Sequence, residues 1–143
     1  MVQSLKEKLE FYKSQAKPSL VENLGIEMLE LSPELVTASM PVDHRTCQPF
    51  GILHGGASVA LAETIASFGG WLNIDHQTNA IAGLEINANH LRSVNKGKVL
   101  GEGKPIHIGK STQVWSVEIF DEERKKISIS RCTLAVIKGQ LRN

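Results

Sequence analysis

The sequence, 143 residues long, lacks several features that mark large classes of protein. It has two cysteines, Cys47 and Cys132, and no CxxC pair, which favours free thiols in a reducing compartment. Its longest apolar stretch contains Glu63 and several glycines, and is therefore too short and too polar to cross a bilayer. The N-terminus lacks the apolar segment of a signal peptide. We therefore expect a cytoplasmic protein with no membrane partner.

Charge patches and common catalytic motifs are also missing. The formal net charge is +1, and no basic cluster exceeds "ERKK" at 123–126, so no nucleic-acid partner is expected. There is no GxSxG, no HExxH, and no phosphate-binding glycine upstream of "GKS" at 109–111. The histidines are scattered without metal-ligand spacing: His44, His54, His76, His90 and His107. We expect neither a metal nor a cofactor.

Hydrophobic periodicity predicts an α+β fold. Leu5, Leu9 and Tyr12 have helical spacing and predict an N-terminal helix over 3–16, and a second helix is expected over 57–72. The strand-like segments are 24–31, 35–40, 80–91, 97–108, 113–120 and 126–137. Short turns join most of them, which implies antiparallel neighbours. The sequence therefore predicts one domain over 1–143, with a long helix against a roughly six-stranded antiparallel sheet.

The long helix carries one ionisable side chain, Glu63. Leu61, Ile65, Phe68 and Leu72 form a stripe expected to pack on the sheet, whereas Glu63 lies on another side, among small residues. That setting predicts a buried carboxylate and leaves room for a slim ligand or another backbone. A buried glutamate that only pairs with an Arg or Lys remains an equally open reading.

The start of this helix offers backbone donors to a negative charge. Gly55 and Gly56 leave the first N–H groups unobstructed, and a carboxylate follows about two turns later, a layout suited to acyl transfer. His54 has helix capping as its alternative role, and Gln48 could be an ordinary loop amide. A thioester suits such a site, because a thiol of pKa about 8.5 leaves without a proton donor.

Several motifs together resemble the hotdog-fold acyl-CoA thioesterases. They are "PFGILHGG" followed by Glu63, then "GLEINANHLRS" at 83–93 and "PIHIGKSTQVWSVEIFDE" at 105–122. The nearest branch is PaaI-like and includes 1,4-dihydroxy-2-naphthoyl-CoA hydrolase of menaquinone biosynthesis and the proofreading thioesterase of enterobactin synthesis. The similarity runs from about residue 25 to 137, so residues 1–20 are expected to be a helical extension.

The resemblance implies a role for each matching residue. Glu63 would be the nucleophile or general base, and the Gly55 N–H would hold the thioester oxygen. Gln48 and His54 would orient the thioester and water, and Ser67 would lie beside Glu63. The residues implied to face CoA are His90, Arg92, Lys110 and Ser111, although "GKS" also fits an ordinary hairpin turn. The resemblance also implies a homo-oligomer, a dimer or a homotetramer, with each site built from two chains.

Three hypotheses follow, and the first is favoured. It is an acyl-CoA thioesterase for aromatic or hydroxylated acyl groups, best assigned to 1,4-dihydroxy-2-naphthoyl-CoA, with general or proofreading hydrolysis of aryl or fatty acyl thioesters as the alternative. The second is a hotdog dehydratase or hydratase, and the third a non-catalytic acyl-CoA binding module. Acyl-pocket residues are open at this stage, since Phe50, Val59, Trp71 and Leu72 suit either a pocket or the core.

Overall fold

The computed structural model describes residues 4–139 as three helices and six strands. The helices are α1 (Leu5–Gln15), α2 (Leu20–Asn23) and α3 (Gly55–Leu72). The strands are β1 (Glu27–Leu31), β2 (Val36–Pro41), β3 (Asn79–His90), β4 (Lys98–Ile108), β5 (Thr112–Phe120) and β6 (Lys126–Lys138). The α+β prediction is confirmed. Within these residues no helix is long and apolar enough to cross a membrane.

Most element boundaries differ from the predictions by one or two residues, and two of the differences have a clear structural cause. The predicted strand at 24–31 begins only at Glu27, because α2 and a turn at Gly25, where φ is +67°, precede it. The long helix begins at Gly55 rather than at residue 57, because the side chain of His54 caps it. Residue 3 of the predicted first helix lies outside the described residues.

The six strands form one antiparallel sheet in the order β1-β2-β4-β5-β6-β3. Strand β3 pairs with β6 along its whole length, from Asn79 opposite Lys138 to His90 opposite Ser128. A bulge at Leu84 shifts that pairing between Gly83 and Glu85. Within the described residues, the other edge of β3 has no partner strand. A twelve-residue strand therefore ends the sheet on the side where Glu63 lies.

The core lies between α3 and the sheet. Helix α3 packs against β2, β3, β4, β5 and β6 through the stripe that the periodicity predicts, in which Leu61 and Ile65 are fully buried. The buried ring of Trp115 lies so close to Gly69 that an added Cβ would come within 2.3 Å of it, so the helix can sit here only with glycine at that position. This contact fixes the height of α3 above the sheet.

Helix α1 docks on the C-terminal end of α3. Its start is closed by a capping box between Ser4 and Glu7. The buried ammonium of Lys8 donates hydrogen bonds of 2.7 Å to the carbonyl oxygens of Leu72 and Ile74. A cation is favoured there, because the last carbonyls of a helix are unpaired and carry its negative dipole end. Helix α1 is thus held to α3 by a specific polar contact.

The buried side chain of His76 lies beneath this contact. Its ring stacks on Phe11, with centroids 4.4 Å apart, and lies 5.2 Å from Trp71. Burial, and then the nearby Lys8 ammonium, lower the pKa of His76 below its ordinary value of 6.5, and the weaker pull of Asp75 in the opposite direction does not cancel them. The folded protein therefore favours neutral His76.

This lowered pKa predicts that stability falls on mild acidification. The unfolded chain binds the His76 proton near pH 6.5, whereas the folded chain resists it. The stabilisation is therefore complete above that pH and is lost as pH falls toward the folded pKa, by at most about 1.4 kcal/mol per pH unit. Urea unfolding at pH 7.5 and 5.5 should show a smaller loss in His76→Phe, which keeps a ring but no titrating group. Parallel pH curves for the two proteins would contradict this prediction.

Candidate active site

Glu63 lines a pocket beside α3. This pocket has a volume of about 510 Å³ and lies on the side of α3 that faces away from the sheet. Its lining residues are Tyr12, Leu20, Val21, Ala60, Glu63, Thr64, Ser67, Phe68 and Trp71. Ser67 lies one turn after Glu63, as expected from the spacing, and both side chains line the same space. A carboxylate and a hydroxyl thus share a mostly apolar pocket.

The prediction that Glu63 is buried is wrong for the single chain, where its side chain is exposed. The small residues near Glu63 in the helix, which suggested its burial, do not all lie on the same face of α3. Gly70 lies against the sheet, where an added Cβ would approach Leu134 to 2.5 Å, whereas Ala60 lines the pocket with Glu63. The carboxylate is therefore accessible, and within residues 4–139 no lysine or arginine forms an ion pair with it.

Gly83 on β3 makes the space that the Glu63 carboxylate occupies. A Cβ added at Gly83 would lie 2.7 Å from Oε1 of Glu63, shorter than any ordinary contact. Gly83 does not have a positive φ, so glycine is needed here because it has no side chain and not because of the backbone conformation. The bulge that follows it turns this part of the edge strand beneath the carboxylate. Gly83 was not identified from the sequence, because nothing in the spacing links it to Glu63.

Replacing Gly83 by alanine is expected to displace the carboxylate without unfolding the protein. The atom that must move is the end of a flexible side chain, so the cost to stability is small, but misplacement of a reacting group by about 1 Å lowers rates by tenfold to a hundredfold. If Glu63 has the catalytic role that the sequence resemblance implies, we expect kcat to fall by about tenfold or more in the Gly83→Ala variant. In a Glu63→Gln background the same change should cost nothing further. Additive losses would contradict this assignment.

Cys132 lies buried close to Glu63, on the strand that pairs with β3. Burial, reinforced by the charges of Glu63 and Glu85, raises the pKa of its thiol to about 12. The thiol is therefore protonated near neutral pH and does not act as a nucleophile. Both cysteines of the chain are free, as expected.

The start of α3 leaves one backbone donor available. Nδ1 of His54 accepts a hydrogen bond of 2.8 Å from the Gly56 N–H, so this side chain is the helix cap that the sequence left as an alternative. The N–H groups of Ala57 and Ser58 donate to the His54 carbonyl oxygen. Among residues 4–139, the Gly55 N–H has no acceptor. It is a donor at the positive end of an eighteen-residue helix.

A second pocket, of about 380 Å³, surrounds this donor. It contains four residues implicated by the sequence: Gln48, Gly55, His90 and Arg92. The ring of His90 lies over Gly55, where an added Cβ would come within 2.9 Å of Nε2. The side-chain oxygen of Gln48 accepts from the Phe50 N–H, so the amide group of Gln48 is the part left for a ligand. The structure thus brings these residues together at the start of α3.

Lys110 and Ser111 lie elsewhere in the chain. They form the exposed turn between β4 and β5, and the Ser111 carbonyl accepts from the Val136 N–H. Val136 is near the end of β6, whereas His90 lies opposite Ser128 near its start. Eight residues of strand separate these positions, about 26 Å at the usual rise. One chain does not bring Lys110 and Ser111 close to His90 and Arg92.

Glu63 and the Gly55 N–H are also apart within one chain. They are separated by eight helical residues, about 12 Å along the axis. A reacting carbonyl must lie about 3 Å from both the carboxylate and the donor, so one chain cannot present both groups to the same thioester. In a single chain, the two pockets therefore hold these two groups apart.

A long helix packed against a six-stranded antiparallel sheet is the hotdog fold, which this chain shares with solved thioesterase structures. The chain belongs to the thioesterase superfamily, whose family model matches residues 50–128. It is a thioester hydrolase, and this prediction is confirmed by its relatives.

Three comparisons span most of the chain. ComA2 of Bacillus subtilis (strain 168) is 61% identical over 122 residues, covering 85% of this chain and 97% of the relative. The 1,4-dihydroxy-2-naphthoyl-CoA hydrolase of Escherichia coli (strain K12) is 44% identical over 137 residues, covering 96% of this chain and 100% of the relative. The crystal structure of thioesterase HI1161 from Haemophilus influenzae superposes on this chain with a TM-score of 0.83 at 46% identity. The alignment covers 96% of this chain and 93% of that chain.

The N-terminal residues that line the Glu63 pocket were not predicted. Tyr12, Leu20 and Val21 come from α1 and α2, and only the helical spacing of Tyr12 gave any signal. Of the residues left open between pocket and core, Trp71 lines the pocket and Leu72 is in the core. Phe50 is 91% exposed in the loop before α3.

Proposed function

We propose that this protein hydrolyses aryl-CoA thioesters at a site shared by two copies of the chain. The observation that carries the proposal is the separation of Glu63 from the Gly55 N–H, together with the unpaired edge of β3 beside Glu63. A homodimer related by a two-fold axis pairs β3 with its own copy and reverses the direction of the second α3. The start of one α3 is thereby directed toward the Glu63 pocket of the other chain.

The chemistry needs one carboxylate and one donor. In the general-base form, Glu63 takes a proton from water as the water oxygen attacks the thioester carbon. The carbonyl oxygen becomes an oxyanion held by the Gly55 N–H of the second copy. The C–S bond then breaks, the sulfur leaves with the electron pair, and the proton on Glu63 passes to the thiolate. In the nucleophilic form, a Glu63 oxygen attacks the carbon itself, and the C–S bond breaks with the electron pair leaving on the thiolate. Water then hydrolyses the resulting mixed anhydride to the free acid and regenerates the Glu63 carboxylate.

The other predicted residues take supporting roles in this proposal. Ser67 hydrogen-bonds Glu63 or the attacking water, and the amide of Gln48 orients the thioester. His54 caps the helix by accepting from the Gly56 N–H, next to the Gly55 donor, and helps to orient the thioester and water. CoA is contacted by His90 and Arg92 and by Lys110 and Ser111. Because these two pairs are far apart in one chain, they reach the same CoA only if each pair comes from a different chain. No metal or cofactor enters any step.

The acyl group is proposed to be aromatic, with 1,4-dihydroxy-2-naphthoyl-CoA of menaquinone biosynthesis as the best assignment. Phe68 and Trp71 lie one to two turns beyond Glu63 in the same pocket. The E. coli relative bears that hydrolase name at 44% identity. We propose a cytoplasmic homodimer or dimer of dimers. General or proofreading hydrolysis of aryl and fatty acyl thioesters is the alternative.

Release of free thiol from a panel of CoA thioesters tests the assignment. The panel comprises 1,4-dihydroxy-2-naphthoyl-CoA, benzoyl-CoA, 4-hydroxybenzoyl-CoA, decanoyl-CoA and acetyl-CoA, each assayed for kcat and KM. We expect the naphthoyl thioester to give the highest kcat/KM. A similar kcat/KM for all the longer thioesters would support general hydrolysis, and a preference for decanoyl-CoA would contradict the aryl assignment.

A further inference from the structure

The N-terminal segment contributes to the pocket that holds Glu63. Tyr12, Leu20 and Val21 supply one wall, which adjoins Phe68 and Trp71 of α3. Trp71 follows Glu63 by eight residues, about 12 Å along the helix axis. The space next to the carboxylate therefore extends along α3 toward Trp71, where α1 contributes to its lining.

Three aromatic rings surround the far end of this space. The Tyr12 ring centroid lies 4.9 Å from that of Phe68, at an interplanar angle of 74°, and 5.9 Å from that of Trp71, at 55°. Phe68 and Trp71 lie 5.7 Å apart at 60°. No two rings are parallel, so both faces and edges border the pocket. A flat aryl group can meet a face and an edge at once, an arrangement that aromatic rings favour. A flexible alkyl chain gains less, because its rotamers must be fixed on binding.

A buried cation fixes this wall in place. Burying a lysine is costly, and the ammonium of Lys8 is compensated by the carbonyl oxygens of Leu72 and Ile74. Those carbonyls end the same helix that carries Glu63. Tyr12 lies one turn after Lys8 on α1. The hydrogen bonds of Lys8 therefore hold Tyr12 in a fixed position relative to α3.

We propose that Tyr12 is a specificity-determining residue that contacts the acyl group and favours a flat aryl group over an extended alkyl chain. Lys8 is its positioning residue, since it holds the wall without touching the substrate. This inference rests on the proposed function, because it assigns the acyl end of the same site.

The test compares kcat/KM for benzoyl-CoA with kcat/KM for decanoyl-CoA. We expect Tyr12→Ala to lower this aryl-to-alkyl ratio by about tenfold or more, as a changed apolar contact does in specificity pockets. Tyr12→Phe keeps the ring and should leave the ratio within about twofold of wild type. Lys8→Met should lower the ratio in the same direction as Tyr12→Ala. The matched control is Lys6→Met, an exposed lysine on the same helix, which should leave the ratio unchanged.

The outcomes separate this inference from the proposed function. A ratio unchanged in both Tyr12→Ala and Lys8→Met, with hydrolysis intact, overturns the role of the wall and leaves the aryl-CoA hydrolase standing. If wild type hydrolyses no member of the panel, the proposed function fails, and binding still tests the wall. The non-hydrolysable thioether S-phenacyl-CoA, followed by tryptophan fluorescence, should bind about tenfold more weakly to Tyr12→Ala than to wild type. Equal or undetectable binding by both proteins would overturn the inference as well.

Discussion

Replacing Glu63 by glutamine is expected to lower kcat for aryl-CoA hydrolysis by about a hundredfold or more. Glutamine has nearly the same shape, so it should keep its place over Gly83 and disturb the fold little. Its amide neither takes a proton from water nor attacks a carbonyl carbon. KM should change much less than kcat, because in the proposed mechanism Glu63 acts only on the reacting atoms.

The matched control is Glu85→Gln. Glu63 and Glu85 both lie close enough to Cys132 for their charges to raise its pKa, so this variant removes a negative charge from the same neighbourhood. The Glu85 carboxylate accepts from the Asn87 side chain on β3, outside the pocket that contains Glu63. Thiol release by Glu85→Gln should stay within about threefold of wild type. A Glu63→Gln enzyme as fast as the Glu85→Gln enzyme would show that the carboxylate is not the catalytic group.

The fold was predictable because its elements repeat a simple burial pattern. In β5 every second side chain is buried, from Gln113 through Trp115 and Val117 to Ile119, as a strand with one face on a core requires. Leu61 and Ile65 recur at helical spacing and are fully buried. Such periodic patterns of apolar residues can be recognised directly in the sequence. Helix α2 carries no comparable period, since it has only four residues, and it was missed.

The candidate site was predictable only where its members are near in sequence. Ser67 follows Glu63 by one turn, and Gln48, His54 and Gly55 lie within one short loop and helix start. The contacts of Gly83 with Glu63 and of Tyr12 with Phe68 join segments that are distant along the chain. Spacing carries no information about such contacts. Burial of Glu63 was wrongly predicted because the sheet covers only one side of α3, and its apolar neighbours do not show which side is open.

The geometry of α3 also permits a clean test of the backbone donor. Gly55 is the first residue of the helix, where proline is well tolerated and its missing N–H breaks no helical hydrogen bond. His54 has φ −69° and ψ 131°, the extended conformation that a residue before proline adopts. Gly55→Pro therefore removes the N–H and leaves the start of the helix intact. We expect kcat to fall by about a hundredfold or more, the usual cost of losing an oxyanion donor.

Gly55→Ala is the control that isolates the donor. Both substitutions add a Cβ that presses on Nε2 of His90, at 2.9 Å, but alanine keeps the N–H. Any loss shared by the two variants comes from displacement of His90, and the excess loss in Gly55→Pro comes from replacing the N–H donor by the Cδ of the proline ring. Equal kcat in the two variants would contradict an oxyanion role for the Gly55 N–H.

The two inactive variants should restore each other when they share a dimer. If Glu63 of one copy works with the Gly55 N–H of the other, a hybrid of Glu63→Gln and Gly55→Pro chains has one site with both defects and one site with none. Hybrids co-expressed with two different tags and purified on both should regain about half of the wild-type kcat per dimer. A site contained within one chain leaves a defect in every site, so such hybrids would stay as slow as their parents. The separation of about 12 Å along α3 favours restoration, because no motion of a rigid helix brings its own residues 55 and 63 together.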